Sequence, residues 1–300
     1  MPVIGFLHGA SPESYVPMVT ALRQGLKEAG YVDGRNLAIE FRWAEGKYDR
    51  LPALAADLVH HGIAAIVAAP TPAALAAKAA TATIPIVFLT GGDPIKLGLA
   101  ASLSRPGGNA TGVAILTAML AAKRVELLHE LVPQATVIAV LVNPTNPSLA
   151  ESTVNDAAVT ARALGLDLHV VNAGSQGELD LAFATLIKQR GGGLIVGGDA
   201  FFNSQRELIV ALAARHAVPT IYEGRDFTAA GGLVSYGPRL ADEYHLTGIY
   251  AGKILNGAKP TDLPIQLSTR VELVINLKTA NSLGITMPLP LLGRAEEVIE

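Results

Sequence analysis

The strongest constraint on the fold is an internal repeat, because the pattern of the first part of the chain returns about 130 residues later. Each copy reads as an apolar strand, a helix ended by glycine, and further strands that alternate with helices. A period of this length is far longer than that of a solenoid repeat, so two similar α/β lobes in tandem explain it better. The matching segments are residues 4–7 and 138–142, Gly30 and Gly165, residues 65–70 and 194–199, and residues 84–88 and 218–222.

Alternation of strands and helices predicts a parallel sheet in each lobe. Half of the residues are apolar and few are aromatic, which suits Ala-rich helices packed over buried strands. The predicted fold class is α/β, with two doubly wound parallel-sheet lobes joined by a multi-segment hinge. Apolar runs predict strands at residues 3–7, 37–43, 63–69, 85–89, about 111–115, 137–142, 233–236 and 271–276, and helical spacing predicts helices that include residues 72 to about 82, 119–132 and 239–255.

The last part of the chain departs from the repeat and is long enough to cross between the lobes again. We expect an N-terminal lobe of residues 1–117 plus about 238–270, and a C-terminal lobe of residues 118–237 plus about 271–300. Several crossing segments make a hinge, and a hinge between two lobes is a common means of closing around a ligand.

Composition and missing motifs exclude several classes of function. A net charge of -3 without a concentrated Lys/Arg run offers no electrostatic footprint for nucleic acid or an anionic membrane. The absence of cysteine removes disulfides, Cys-based zinc sites and thiol nucleophiles. The chain also lacks a P-loop, a strand-linked G-x-G-x-x-G, an H-E-x-x-H and a G-x-S-x-G elbow. We therefore expect no enzyme activity, no cofactor and no metal site.

Ligands of open parallel sheets bind beyond the carboxyl ends of the strands, where helices begin. In the first lobe this rule selects the loops at residues 8–15, 70–74 and 90–94. Thr71 precedes a proline and is predicted to cap a helix with its hydroxyl facing the ligand, although capping alone also explains it. For Asp93 the sequence leaves two roles open, a contact with the ligand and an Asx-turn that holds its own loop. The predicted ligand-binding residues of this lobe are Ser11, Tyr15, Thr71, Pro72, Ala73 and Asp93.

In the second lobe the same rule selects the loops at residues 143–148, 199–204 and 223–226. Asp199 could accept a ligand ammonium, or it could cap the helix that follows it, and the sequence leaves both open. Aromatic rings at strand ends could sandwich an apolar ligand. Phe201 and Tyr222 are predicted to pack in the core instead. The predicted ligand-binding residues of this lobe are Asn143, Thr145, Asp199 and Tyr236, with loop stabilisation as the alternative for the first two.

Six segments in order along the chain resemble the substrate-binding family of ABC transporters that includes the tryptophan-binding TrpX-type proteins. The resemblance runs nearly end to end. It implies a type I periplasmic-binding-protein fold, a ligand held between the lobes and an ABC permease partner in the inner membrane. Members with known ligands often bind aromatic amino acids. The segments are GYVDGRN at 30–36, APTPAA at 69–74, GDP at 92–94, RPGGNATG at 105–112, NGAKPTDLP at 256–264 and ELVINLKTA at 272–280.

The sequence thus predicts a monomeric receptor of an ABC importer that closes its two lobes on an amino acid or a small aromatic or apolar carboxylate. The predicted location is the periplasm after removal of a signal peptide, or a lipid anchor outside the cytoplasmic membrane. The alternative is a small-molecule-processing α/β enzyme or a cytoplasmic ligand sensor with the same fold, since fold alone does not fix function.

Overall fold

The computed structural model describes residues 1–115, residue 117 and residues 119–300. The chain forms two compact units. Unit 1 comprises Met1–Leu116 and Leu240–Thr269, and unit 2 comprises Thr117–Arg239 and Arg270–Glu300. The chain therefore passes from one unit to the other at three places. The boundary expected from the sequence falls between residues 117 and 118, and residue 118 lies outside the described residues.

Strands and helices alternate through most of the chain, as the hydrophobic pattern predicts. Strands β1 to β13 span Val3–His8, Ala38–Trp43, Ala65–Ala69, Ile86–Thr90, Ala110–Ala114, Val137–Val142, Asp167–Asn172, Leu194–Val196, Thr220–Tyr222, Val234–Pro238, Gln266–Leu267, Val271–Asn276 and Glu297–Ile299. Helices α1 to α12 span Val16–Glu28, Leu51–His60, Thr71–Ala80, Met119–Leu131, Pro147–Ala163, Gln176–Lys188, Ala200–Ser204, Arg206–Arg215, Arg225–Ala229, Leu240–Leu255, Leu277–Ser282 and Leu289–Leu292.

Unit 1 is built on a sheet of six strands in the order β11-β5-β4-β3-β1-β2, and each of its ladders is parallel. Its central strands are apolar along their whole length because helices cover both faces. Residues such as Leu7, Ile66 and Phe88 pack on one face against leucine and alanine side chains of α2 and alanine side chains of α3. The parallel strands end together at one edge of the sheet, which we call the carboxyl edge.

Helices α1 and α10 pack closely in unit 1, although α10 follows α1 by more than two hundred residues. A Cβ atom added to Gly25 would lie 2.0 Å from the backbone oxygen of His245, and one added to Gly248 would lie 2.2 Å from that of Leu22. Glycine at both positions therefore lets the two helix backbones approach each other, and a side chain at either would push them apart.

Unit 2 is built on a sheet of seven strands in the order β13-β12-β10-β9-β8-β6-β7. Its ladders are parallel apart from β10 and β12, which run antiparallel with Pro238 opposite Val271. The chain leaves unit 2 just after the end of β10 and returns just before the start of β12. The end of β10 and the start of β12 lie at the same edge of the sheet, so the two strands run in opposite directions. This one antiparallel ladder was not expected from the sequence.

None of the described helices combines the length and apolar character needed to cross a membrane.

Candidate functional site

The carboxyl edge of unit 1 carries a group of aromatic residues around His8, the last residue of β1. The ring centroid of His8 lies 4.2 Å from that of Tyr15, 5.0 Å from that of Trp43 and 6.1 Å from that of Tyr244. His8 and Tyr244 are buried, and Tyr15 is 3% exposed. The three ring pairs are tilted, with interplanar angles of 54°, 57° and 45°, and aromatic rings in such contact attract each other. Tyr15 was predicted to bind the ligand, and its position at this edge agrees with that prediction without testing it.

His8 is held neutral by its surroundings. The amide N–H of Ala10 donates to Nδ1, so Nε2 carries the ring proton and donates to the hydroxyl oxygen of Tyr244 at 2.6 Å. Burial lowers the pKa of His8 to about 3, because the charged imidazolium would lose its hydration. The side chain thus orients the Tyr244 hydroxyl without adding a charge to this edge.

Thr71 does not cap α3, and that prediction is wrong. The helix begins at Thr71 itself, so Pro70 occupies the capping position and Pro72 is the second residue of the helix. The Thr71 hydroxyl instead pairs with the Thr90 hydroxyl at 2.7 Å, at the end of the neighbouring strand β4. Ala73 packs its methyl group in the core and donates its amide to the Pro70 carbonyl. The Thr71 hydroxyl thus joins the start of α3 to the end of β4, a contact that local spacing does not reveal.

Two further predicted residues of unit 1 have roles within their own loops. Oδ1 of Asp93 accepts the amide N–H of Ile95 at 2.9 Å, which is the Asx-turn considered from the sequence. The carbonyl of Ser11 accepts the hydroxyl of Ser14 at 3.0 Å. Ligand contacts of Asp93 and Ser11 stay predictions.

The carboxyl edge of unit 2 carries a hydrogen-bonded polar network centred on Asp199. This residue caps α7 by accepting the amide N–H of Phe201 at 2.9 Å, and it also accepts the side-chain amides of Asn143 and Asn146, each at 2.9 Å. Oδ1 of Asn143 in turn accepts the backbone amide and the hydroxyl of Thr145. The capping role considered for Asp199 is therefore present, as is loop stabilisation by Asn143 and Thr145.

The aromatic residues of unit 2 divide between the core and the carboxyl edge. Phe201 and Tyr222 belong to the buried core cluster, which is the packing role predicted for them. Tyr236 lies on β10 and is half-buried. Its backbone carbonyl accepts a hydrogen bond from Arg124.

Arg124 is a charged residue that our sequence reasoning missed. It lies on α4, is fully buried, and donates from Nε to the Tyr236 carbonyl at 2.8 Å. Nη1 and Nη2 have no hydrogen-bond partner among the described residues. Burial lowers the pKa of Arg124 to about 10, which leaves the group charged at neutral pH. A signal was available, because Arg124 shares the apolar stripe of α4 with Ala121, Val125 and Leu128.

Glu223 follows β9 and begins the loop at residues 223–226 that the sequence selects, but it was not among the predicted ligand-binding residues. Oε1 accepts the side-chain amide of Asn203 at 3.1 Å, whereas the buried Oε2 has no partner among the described residues. A Cβ atom added to Gly198 would lie 2.0 Å from Oε2, so glycine there makes room for this carboxylate. Burial raises the pKa of Glu223, and the nearby Arg124 charge opposes that rise.

Arg124 and Glu223 do not satisfy each other. No hydrogen bond joins the two side chains, although each charge shifts the pKa of the other. Two guanidinium nitrogens of Arg124 and one carboxylate oxygen of Glu223 are thus buried in unit 2 without a hydrogen-bond partner among the described residues. This arrangement can bind a small molecule through opposite charges. The described residues include no group of three or more His, Asp or Glu side chains that could hold a metal ion.

Two known proteins are similar to this chain over most of its length. A "Tyrosine-binding protein" of Clostridioides difficile is 28% identical over 262 residues, which cover 87% of this chain and 74% of that protein. A crystal structure of an ABC domain in complex with L-Trp, from Streptococcus pneumonia, is 29% identical with a TM-score of 0.90 and covers 99% of both chains.

A more distant structure shows the fold alone. It is an ABC transporter periplasmic solute binding protein from Actinobacillus succinogenes with bound D-allose, 15% identical with a TM-score of 0.65 over 94% of this chain and 100% of that one. The predicted type I periplasmic-binding-protein fold is confirmed.

The sequence profile of one family covers nearly the whole chain, from residue 4 to residue 299, and its description is "ABC transporter substrate binding protein". The predictions of a substrate-binding function and of no enzyme activity are confirmed by this match and by the relatives. The chain belongs to the family of ABC transporter substrate binding proteins.

Proposed function

We propose that this protein is the receptor of an ABC importer for an amino acid or a small aromatic or apolar carboxylate, and that units 1 and 2 are its two lobes. The observation that supports a carboxylate ligand is the buried guanidinium of Arg124 in unit 2. Its Nη1 and Nη2 have no hydrogen-bond partner among the described residues. A buried charge without a partner is strongly unfavourable. A ligand carboxylate supplies that partner through two parallel hydrogen bonds.

The names of two relatives support the same ligand class. One is a tyrosine-binding protein and the other was solved with L-Trp, and both ligands carry a carboxylate. The proposal that this chain also binds an amino acid rests on 28–29% sequence identity to these relatives and on the unpartnered Nη1 and Nη2 of Arg124. Closure of the lobes on the ligand follows from the sequence prediction, and we expect it to appear as compaction in small-angle scattering.

The partner and location follow from the family. Substrate-binding proteins of ABC transporters act outside the cytoplasm. We propose that this one acts as a monomer in the periplasm or on a lipid anchor, and that it delivers its ligand to an inner-membrane permease. A net charge of -3 without a concentrated Lys/Arg run gives no reason to expect a nucleic-acid partner.

Native mass spectrometry of the freshly purified protein tests the proposal. A receptor is expected to retain a small molecule of fixed mass in one-to-one ratio and to release it unchanged on denaturation. Addition of that molecule to stripped protein should raise the melting temperature. Release of a chemically altered product, or the lack of any stabilising ligand in a screen of amino acids and carboxylates, would contradict it.

A further inference from the structure

We infer that unit 1 carries a second binding site, for a small molecule with an apolar body and one anionic group. This site lies at the edge of the sheet where the parallel strands begin, opposite the carboxyl edge. It is separate from the ligand site of the proposed function, which involves Arg124 in unit 2.

A groove of about 570 Å³ opens at this edge, and we call it the amino groove. The residues that immediately precede four strands line it, and these are Pro2 before β1, Ala64 before β3, Pro85 before β4 and Asn109 before β5. Because the four strands are five or six residues long, the groove lies roughly 15–20 Å from the carboxyl edge. Its volume is within the range of small-molecule sites, about 300–1,000 Å³.

Hydrogen bonds fix the walls of the amino groove. The side-chain amide of Asn109 donates to the carbonyls of Thr81 at 3.0 Å and Ile84 at 2.8 Å, which holds the loop between α3 and β4. The hydroxyl of Tyr250 donates to the carbonyl of Pro264 at 2.6 Å, which holds the passage between α10 and β11. A groove with fixed walls loses little conformational entropy when a ligand enters.

Apolar side chains form much of the lining. Ile254 and Leu255 contribute from the last turn of α10, and proline rings contribute at residues 2, 85 and 260. No Asp or Glu side chain is among the described residues that line the groove. The lining therefore favours an apolar ligand body and gives no partner for a cation.

Two lysines give the amino groove a positive charge. Lys259 lines it and is exposed. Nζ of Lys78 donates to Oδ1 of Asn109 at 2.9 Å and would lie 3.3 Å from a Cβ added to Gly108, so it lies beside two lining residues. Neither lysine forms an ion pair with a carboxylate among the described residues. An anionic ligand group complements both ammonium groups, while their alkyl stems add apolar surface.

The end of α10 does not cancel this positive charge. A helix C-terminus carries a partial negative charge of about half a unit. Three of the last four carbonyls of α10 accept the backbone N–H groups of Asn256, Gly257 and Ala258, so they are capped within the chain. The two full charges of the lysines therefore outweigh the helix end.

Fluorescence titration with two matched dyes tests the inference. Anilinonaphthalene sulfonate has an apolar body and one anionic group, and phenylnaphthylamine has the same body without the sulfonate. Both dyes fluoresce strongly when they enter apolar surroundings. We expect the sulfonate to bind the folded protein in one-to-one ratio and roughly 3- to 10-fold more tightly than the neutral dye.

Three variants and a control locate the bound dye. Ala64→Trp and Ala82→Trp each place a bulky ring in the groove from an exposed position of its lining, and both should abolish binding of both dyes. Lys259→Glu should weaken the sulfonate roughly 10-fold and leave the neutral dye unaffected. Lys27→Glu is the control for the change of charge, because Lys27 is exposed on α1 and does not line the groove. Circular dichroism confirms that each variant is folded.

The outcomes separate this inference from the proposed function. Unchanged affinity for the sulfonate in both tryptophan variants would overturn the site. Equal affinity for the two dyes, or equal weakening of the sulfonate by Lys259→Glu and Lys27→Glu, would overturn the preference for an anion. Any amino acid that binds the wild type should bind Ala64→Trp with equal affinity, and its loss in the folded variant would contradict the separation of the two sites.

Discussion

Acidification should destabilise unit 1 through His8. Its pKa is lowered from 6.5 to about 3 in the folded protein. Between pH 6.5 and about pH 3, His8 is therefore protonated in the unfolded chain but neutral in the folded protein. The free energy of unfolding falls as the pH falls through this range. The slope is about 1.4 kcal/mol per pH unit. Between pH 7.5 and pH 5.0 the loss from this one residue amounts to about 2 kcal/mol.

The single tryptophan of the chain provides the signal for this measurement. Trp43 lies in unit 1, with its ring centroid 5.0 Å from that of His8, so its fluorescence reports unfolding of the unit that contains His8. Urea titrations at pH 7.5 and 5.0 give the free energy of unfolding at each pH. The control is His8→Gln, which removes the titrating ring and can still donate and accept hydrogen bonds.

The comparison between the two proteins isolates His8, since other titrating groups contribute equally to both. The variant should be less stable at pH 7.5, because it loses the ring contacts with Tyr15 and Trp43. It should nevertheless lose about 2 kcal/mol less than the wild type on acidification. An equal loss in both proteins would show that His8 does not stay neutral when folded, and would refute the reasoning.

Other substitutions test the close contacts of each unit. Gly248→Ala should destabilise unit 1 by about 1–3 kcal/mol, because a Cβ there meets a backbone oxygen of α1; Gly177→Ala, with open space around its Cβ, is the matched control and should not destabilise the protein in thermal melts. Gly198→Ala should displace the carboxylate of Glu223, so we expect weaker ligand affinity in calorimetry with little change in the melting temperature. A lower melting temperature with unchanged affinity would contradict the role given to Gly198. Asp199→Ala should lower the stability of unit 2 by about 1 kcal/mol or more through loss of the cap, and a large loss of affinity at unchanged stability would instead restore its predicted contact with the ligand.

The sequence predicts the architecture well because hydrophobic periodicity is a local signal. The strand from Val271 to Asn276 has the predicted bounds, and helix α10 ends at Leu255 as predicted. The antiparallel ladder escapes such reasoning, because the direction of β12 depends on where the chain re-enters unit 2 after its passage through unit 1.

The site is less predictable because its residues depend on contacts between distant segments. Thr71 was predicted to cap a helix from local spacing, but its hydroxyl pairs with that of Thr90 at the end of β4. Arg124 is part of an apolar stripe, and its hydrogen bond to the Tyr236 carbonyl joins residues 112 positions apart that no local pattern connects. Tyr244 lies 236 positions after His8 in the sequence, and no motif marks their hydrogen bond.

Calorimetric titration of ligand-free protein with amino acids, for the wild type and for Arg124→Met, tests the central claim most directly. The account predicts one-to-one binding of at least one amino acid to the wild type and its loss in the variant, with a folded variant confirmed by circular dichroism. Binding of the same amino acid with equal affinity to both proteins, or to neither, would contradict the claim that the protein is an amino-acid receptor that holds its ligand through Arg124.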